Sequence, residues 1–193
     1  MKITRRATSR REFLKQSGRI TAASAVLAAL GPRIYAAPNE MIKLALVGCG
    51  GRGTGAVADA LSTTGGPVKL YAAADLFEPR LQTSLKHLNE GSADKVDVPP
   101  ERQFVGFDAY RKAIDCLNPG DVVLLTTHAA FRPMHFEYAV SKGINVFAEK
   151  SFATDGPAVR RWLKAAELSE RKSLKVGVGF MWRHSKARQE TIQ

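Results

Sequence analysis

Gly48, Gly50 and Gly53 stand in the spacing G-x-G-x-x-G, inside Leu44-Ala-Leu-Val-Gly48-Cys-Gly50-Gly-Arg-Gly53. Between an apolar run and a helix-compatible segment, glycines so spaced suit the binding of a pyrophosphate. Gly48 permits a tight bend, Gly50 lets the pyrophosphate approach the backbone, and Gly53 lets strand and helix pack closely. The N–H groups of the turn, in Cys49, Gly50, Gly51 and Arg52, then face the anion, where the helix dipole also favours negative charge. Asp75 ends the next apolar run, about 20 residues past the glycines, where a carboxylate accepts from the ribose hydroxyls of a dinucleotide. It repels a 2′-phosphate and so favours NAD over NADP. Arg80, soon after, weakens that preference. His128 follows a further apolar run, at the kind of strand end where open α/β sheets bind ligands. Cys49 reads as a small side chain fitted into the turn, and His135, followed by Phe136 and Tyr138, as a packed histidine.

These residues need elements to hold them. Strand-like runs cover 42–47, 68–74, 103–105, 121–127, 144–148 and 174–180, and helical stretches lie around 54–62, 77–89, 108–116, 133–142 and 156–171. Such alternation predicts an α/β fold, a doubly wound parallel sheet with helices on both faces. Val122-Val-Leu-Leu125 is continuously apolar, as suits a strand covered on both sides. The stretch 90–100, with Gly, Ser, Asp and two prolines, predicts an exposed loop.

Charge divides unevenly along the 193 residues. Of the formal +11, residues 1–36 hold a net +7, eight Lys/Arg against one Glu, which leaves +4 for the remainder. No Lys/Arg stripe interleaved with aromatics follows, so nucleic acid is not an expected partner. Ser9-Arg10-Arg11-Glu12-Phe13-Leu14-Lys15 resembles the twin-arginine export signal, and a mild apolar run, Ile20 to Leu30, falls short of the ~20 strongly apolar residues of a membrane span. Residues 1–37 are therefore expected to be a signal peptide, cleaved near Tyr35-Ala36-Ala37 and read by the twin-arginine machinery, with the mature chain periplasmic or extracellular. That route carries folded proteins, so a nucleotide cofactor is expected to be loaded first and held tightly. Cys49 and Cys116 form no disulfide framework, and no His, Cys and carboxylate cluster has metal-ligand spacing.

Taken together, Gly48-Cys-Gly-Gly-Arg-Gly-Thr-Gly55, Phe131-Arg-Pro-Met-His135, Gly143-Ile-Asn-Val-Phe-Ala-Glu149-Lys150 and Gly179-Phe-Met-Trp-Arg183-His184 resemble the Gfo/Idh/MocA family of NAD(P)-dependent oxidoreductases. The resemblance covers about residues 41–193. It implies a Rossmann cofactor domain over 41–180, with 181–193 beginning a truncated second α/β domain that is otherwise absent. It also implies cofactor contacts from Thr126, Thr127 and His128 after the fourth strand, and from Glu149 and Lys150 after the fifth. Lys150 is the residue expected to reach both cofactor and substrate in catalysis. The chain departs from the family in having Thr127-His128 where Thr-Pro is usual, and Ser151 where Glu-Lys is followed by proline, a loss expected to leave Lys150 differently aimed. No residue matches the family's catalytic histidine. Trp182 and His184 are expected to pack against the missing domain, and a homo-oligomer is expected only for a longer form.

By this resemblance the chain moves a hydride between tightly bound NAD(P) and a sugar or polyol. Two alternatives stand beside it: a glycosidase of the same superfamily that uses NAD catalytically, and a dinucleotide-binding fragment without turnover.

Overall fold

The computed structural model describes residues 40–192. The expected signal peptide lies outside them. In chain order the elements are β1 (Ile42–Val47), α1 (Gly51–Leu61), β2 (Val68–Asp75), α2 (Glu78–Ser92), β3 (Gln103–Val105), α3 (Ala109–Asp115), β4 (Val122–Leu125), α4 (Arg132–Lys142), β5 (Asn145–Ala148), α5 (Gly156–Arg171), β6 (Val176–Val178) and α6 (Lys186–Ile192). The six strands form one sheet in the order β3-β2-β1-β4-β5-β6, every neighbouring pair parallel. This is a doubly wound Rossmann-like α/β fold.

Alternation along the strands builds two apolar layers. Leu44 and Leu46 of β1 turn to one face, where they meet Val57 and Leu61 of α1 and Leu81 and Leu85 of α2. Ala45 and Val47 turn to the other, against Ile114 of α3, Phe136 and Val140 of α4 and Trp162 of α5. A strand covered on both sides leaves no solvent face for polar residues, which is why β4 reads Val-Val-Leu-Leu. Phe136 and Trp162 stack at 4.2 Å between centroids and fix α4 against α5. Local chemistry sets the helix ends: Asp155 accepts from the Ala158 N–H at 2.8 Å to cap α5, and α4 stops at Gly143, which takes the left-handed conformation.

Three expectations need correction. The 90–100 stretch is not all exposed loop: α2 runs on to Ser92, Val96 bridges to Leu70, and Val96 and Val98 pack against the core. β4 and β6 are shorter than 121–127 and 174–180, because the strand ladder stops where the chain turns away to build the loops beyond it. α1 begins at Gly51, inside the glycine motif, rather than at residue 54.

Candidate functional site

Strand order reverses between β1 and β4, and ligands in open α/β sheets bind in the crevice outside the strand ends at such a point. The glycine turn sits there. Gly48 has φ +102°, and a Cβ on it would lie 2.6 Å from the Thr127 nitrogen. Gly53 is tighter still, since a Cβ would stand 2.1 Å from the Gly48 carbonyl oxygen and 2.6 Å from Thr126 Oγ1. Gly50 differs. It has ordinary extended backbone, φ −76°, and a Cβ would meet nothing within 4 Å. Its bareness therefore serves no packing need of the protein itself. No side chain caps α1, and its first turn holds no acidic residue, so the helix N-terminus is left for an anion.

Thr126 stitches this turn shut: its Oγ1 donates to the Gly48 carbonyl at 2.6 Å and to the Val47 carbonyl at 3.2 Å. Asp75 is buried beside the turn. Its Oδ2 accepts from the Cys49 N–H at 2.6 Å and its Oδ1 from the Phe77 N–H at 2.9 Å, so the Cys49 N–H, expected to face an anion, is instead taken up by the carboxylate. Each oxygen keeps a further lone pair for a ligand hydroxyl. Cys49 is buried, its Sγ 3.5 Å from the Ala74 carbonyl oxygen, and burial with the nearby Asp75 charge pushes its thiol up to about 12. It is therefore a neutral thiol, unsuited to act as a nucleophile.

The expected site residues fall into two groups on either side of the turn. Asp75 and Thr127 line a pocket with Gly106, Phe107, Tyr110 and Phe131. Its walls are apolar and aromatic, with Phe107 and Phe131 at 6.4 Å between centroids. Arg52, Thr126, Glu149 and Lys150 line a second cleft, on the β4/β5 side, with Arg132 and Ser151. Lys150 is exposed. Glu149 is buried and its Oε1 takes the Arg52 Nε–H at 2.7 Å, packed so closely that a Cβ on Gly179 would meet that oxygen at 2.3 Å. Arg52 and Glu149 thus engage each other across the crevice. His128 is exposed in the turn after β4, its Nδ1 accepting from the Ala130 N–H at 3.3 Å. Arg80 lies over the Phe77 ring at 5.3 Å, next to Asp75's strand end. The side chains of Trp182 and His184 lie outside what is described.

His135 is buried, stacked on Tyr110 at 4.2 Å, with Thr127 Oγ1 3.2 Å from Nδ1. Burial, and then the charge of Arg132, push its pKa down from 6.5 to about 4. The unfolded chain therefore binds this proton more readily, so stability that is present above pH 6.5 is lost as the pH falls toward 4. Going from pH 7 to pH 5 should cost about 2 kcal/mol through this group. Denaturant melts at the two pH values, compared with His135→Gln, isolate it: the variant should lose about 2 kcal/mol less than the parent.

Sequence reasoning missed Arg132, although it stands in the stretch Phe131–His135 that carried the resemblance. It is the first residue of α4 and is buried. One guanidinium nitrogen donates to the carbonyls of both Glu149 and Ser151, and the other to the carbonyl of Thr127. Its Nε–H has no partner among the described residues, a cost of about 1–3 kcal/mol for a buried donor. Ser151, standing where the resembled family has proline, follows a cis peptide bond and has its carbonyl held by Arg132. Nothing in the local sequence marks an arginine as buried; only the closure of two distant loops around it does. Among the described residues no group of three His, Cys, Asp or Glu side chains is placed to hold a metal, and no helix is long and apolar enough to cross a membrane.

Fold and site together define a doubly wound α/β domain with a dinucleotide-type glycine turn at its switch point. No family model matches the chain, and no curated protein matches it. Among solved structures it is similar to myo-inositol 2-dehydrogenase from Lactobacillus plantarum, with a TM-score of 0.61 and 25% identity over 79% of this chain and 40% of that one. It is also similar to scyllo-inositol dehydrogenase from Lactobacillus casei with bound NAD(H) and scyllo-inositol, with a TM-score of 0.60 and 22% identity over 79% of this chain and 40% of that one. A 3-ketoreductase from Actinomadura kijaniata in complex with NADP follows, with a TM-score of 0.56 and 17% identity over 79% of this chain and 42% of that one. The chain spans about 40% of the length of the solved structures it matches.

Proposed function

We propose that this chain is the cofactor-binding part of an NAD(P)-dependent oxidoreductase of the Gfo/Idh/MocA type, acting on a sugar or polyol. One observation carries the reading: Gly50 is bare toward open space at the uncapped start of α1, while the buried Asp75 carboxylate stands beside the same turn. These residues fit a dinucleotide. The turn would hold the pyrophosphate, Asp75 the ribose, and the aromatic pocket of Phe107, Tyr110 and Phe131 the adenine. The nicotinamide end then falls to the β4/β5 cleft, near Lys150. The residues of that cleft would hold the nicotinamide, which would supply hydride chemistry when bound, while the protein supplies placement and charge. Lys150 would hold the substrate oxygen, and Thr127, His128 and Glu149 would shape the loops around it.

The solved inositol dehydrogenases and the 3-ketoreductase support this class of chemistry, and one of them has NAD(H) and scyllo-inositol bound. Asp75 favours NAD, with NADP second. The twin arginines at Arg10 and Arg11 support export to the periplasm or beyond, with cofactor loaded beforehand. The test is to add sugars and inositols with NAD to the enzyme of which this chain is the cofactor-binding part and follow the absorbance of reduced nicotinamide. Reduction dependent on Lys150 is the expected result. Release of a chromogenic aglycone without net reduction would instead favour the glycosidase, and NAD uptake without either would favour a binding fragment.

A further inference from the structure

The pyrophosphate turn lies over β1 and Asp75 marks the adenosine side over β2, so a dinucleotide laid across the crevice puts its other half over β4 and β5. Two loops form that side: the turn after β4, with Thr127 and His128, and the segment after β5, with Glu149, Lys150 and Ser151. Their backbones are joined by one side chain. Arg132 donates to the Thr127 carbonyl from one nitrogen and to the Glu149 and Ser151 carbonyls from the other.

We propose that Arg132 is a positioning residue for the nicotinamide half of the cofactor, clamping the β4 and β5 loops so that Lys150 presents itself to it. The inference rests on the cofactor reading above and adds a division of labour to it. The chemistry of the side chain suits the task. A guanidinium is a planar fork with five donors, able to serve three carbonyls in fixed directions, whereas lysine offers a compact point charge on a flexible stem. The clamp holds the carbonyls on both sides of Lys150 at once, so the lysine's backbone is fixed before and after it. Two of its three carbonyl bonds, to Glu149 and Ser151, lie on the β5 side around Lys150, and the third holds the backbone of Thr127, whose residue borders the pocket beside Asp75. Its Nε–H, buried and without a partner among the described residues, is a donor the protein itself does not use, in a side chain that lines the β4/β5 cleft.

The test separates the two halves of the cofactor. NAD and ADP-ribose share the adenosine and pyrophosphate groups, and only NAD carries the nicotinamide. In calorimetric titrations the parent chain should bind NAD more tightly than ADP-ribose. In Arg132→Lys and Arg132→Gln the NAD affinity should fall about tenfold, toward that of ADP-ribose, while ADP-ribose affinity stays within about twofold. If both nucleotides weaken together, or neither does, the clamp has no special bearing on the nicotinamide half and the inference is overturned. If the parent binds neither nucleotide, the cofactor reading itself fails and this one with it. Should the variants not fold, the parent protein still decides: NAD should shift the Arg132 Nε–H nitrogen resonance and ADP-ribose should leave it in place. Equal shifts, or none, would overturn the inference.

Discussion

Gly50→Ala is expected to fold as stably as the parent and to lose NAD, whereas Gly53→Ala is expected to lose stability first. The two substitutions add the same methyl group within one turn. At Gly50 the methyl meets no protein atom within 4 Å and the backbone, at φ −76° and ψ 176°, is ordinary for alanine. Stability should therefore hold or rise by about 0.4–1 kcal/mol through the unfolded chain. The same methyl fills the space through which a pyrophosphate reaches the turn, so NAD affinity should fall by about 30-fold or more, roughly the 2 kcal/mol lost with good anion contacts. At Gly53 the methyl would stand 2.1 Å from the Gly48 carbonyl oxygen and 2.6 Å from Thr126 Oγ1. Strand and helix must separate there, which costs about 3 kcal/mol or more. Paired denaturant melts and NAD titrations check both arms. A Gly50→Ala chain that bound NAD like the parent would remove the reason offered for that glycine.

Asp75 carries the second large effect. Asp75→Ala removes the acceptor of two backbone N–H groups, those of Cys49 and Phe77, and leaves a buried gap beside the glycine turn. Each orphaned donor costs about 1–3 kcal/mol where water cannot reach it, so a stability loss of about 2–4 kcal/mol is expected. NAD binding should weaken by about 10- to 100-fold through the lost ribose contacts. Asp75→Asn is the milder substitution. It keeps the side chain's shape and removes its negative charge together with one of the two acceptors for the Cys49 and Phe77 N–H groups, so preference for NAD over NADP should shrink by about tenfold while stability falls by about 1–3 kcal/mol. Arg80, at the start of α2 and exposed over Phe77, is the cation placed to favour a 2′-phosphate once that charge is gone.

What was legible in the sequence was legible because its cause is local. Gly48 needs a positive φ and Gly53 a close contact, and both needs show as glycine in a fixed spacing. Asp75 follows from counting residues to the end of the next apolar run. The continuous apolar β4 declares a strand covered on both faces before any contact is known. What stayed hidden depends on long-range closure. Glu149 turns its carboxylate to Arg52, 97 residues away in sequence, and against the bare backbone of Gly179. The clamp of Arg132 joins two loops that come together only when β4 and β5 pair. The 90–100 stretch misled for a related reason: its polar composition is that of a loop, while Val96 and Val98 find apolar neighbours that only the folded sheet supplies.

The glycine turn, with Asp75 beside it, is proposed to hold a nicotinamide dinucleotide. The most direct measurement is the nucleotide content of the purified chain, read from its ultraviolet spectrum and from the nucleotide released on denaturation, followed by titration of the emptied protein with NAD and NADP. Bound nicotinamide dinucleotide is expected, with saturable one-site rebinding in which NAD is preferred over NADP. A folded chain that arrives empty and takes up neither would contradict it.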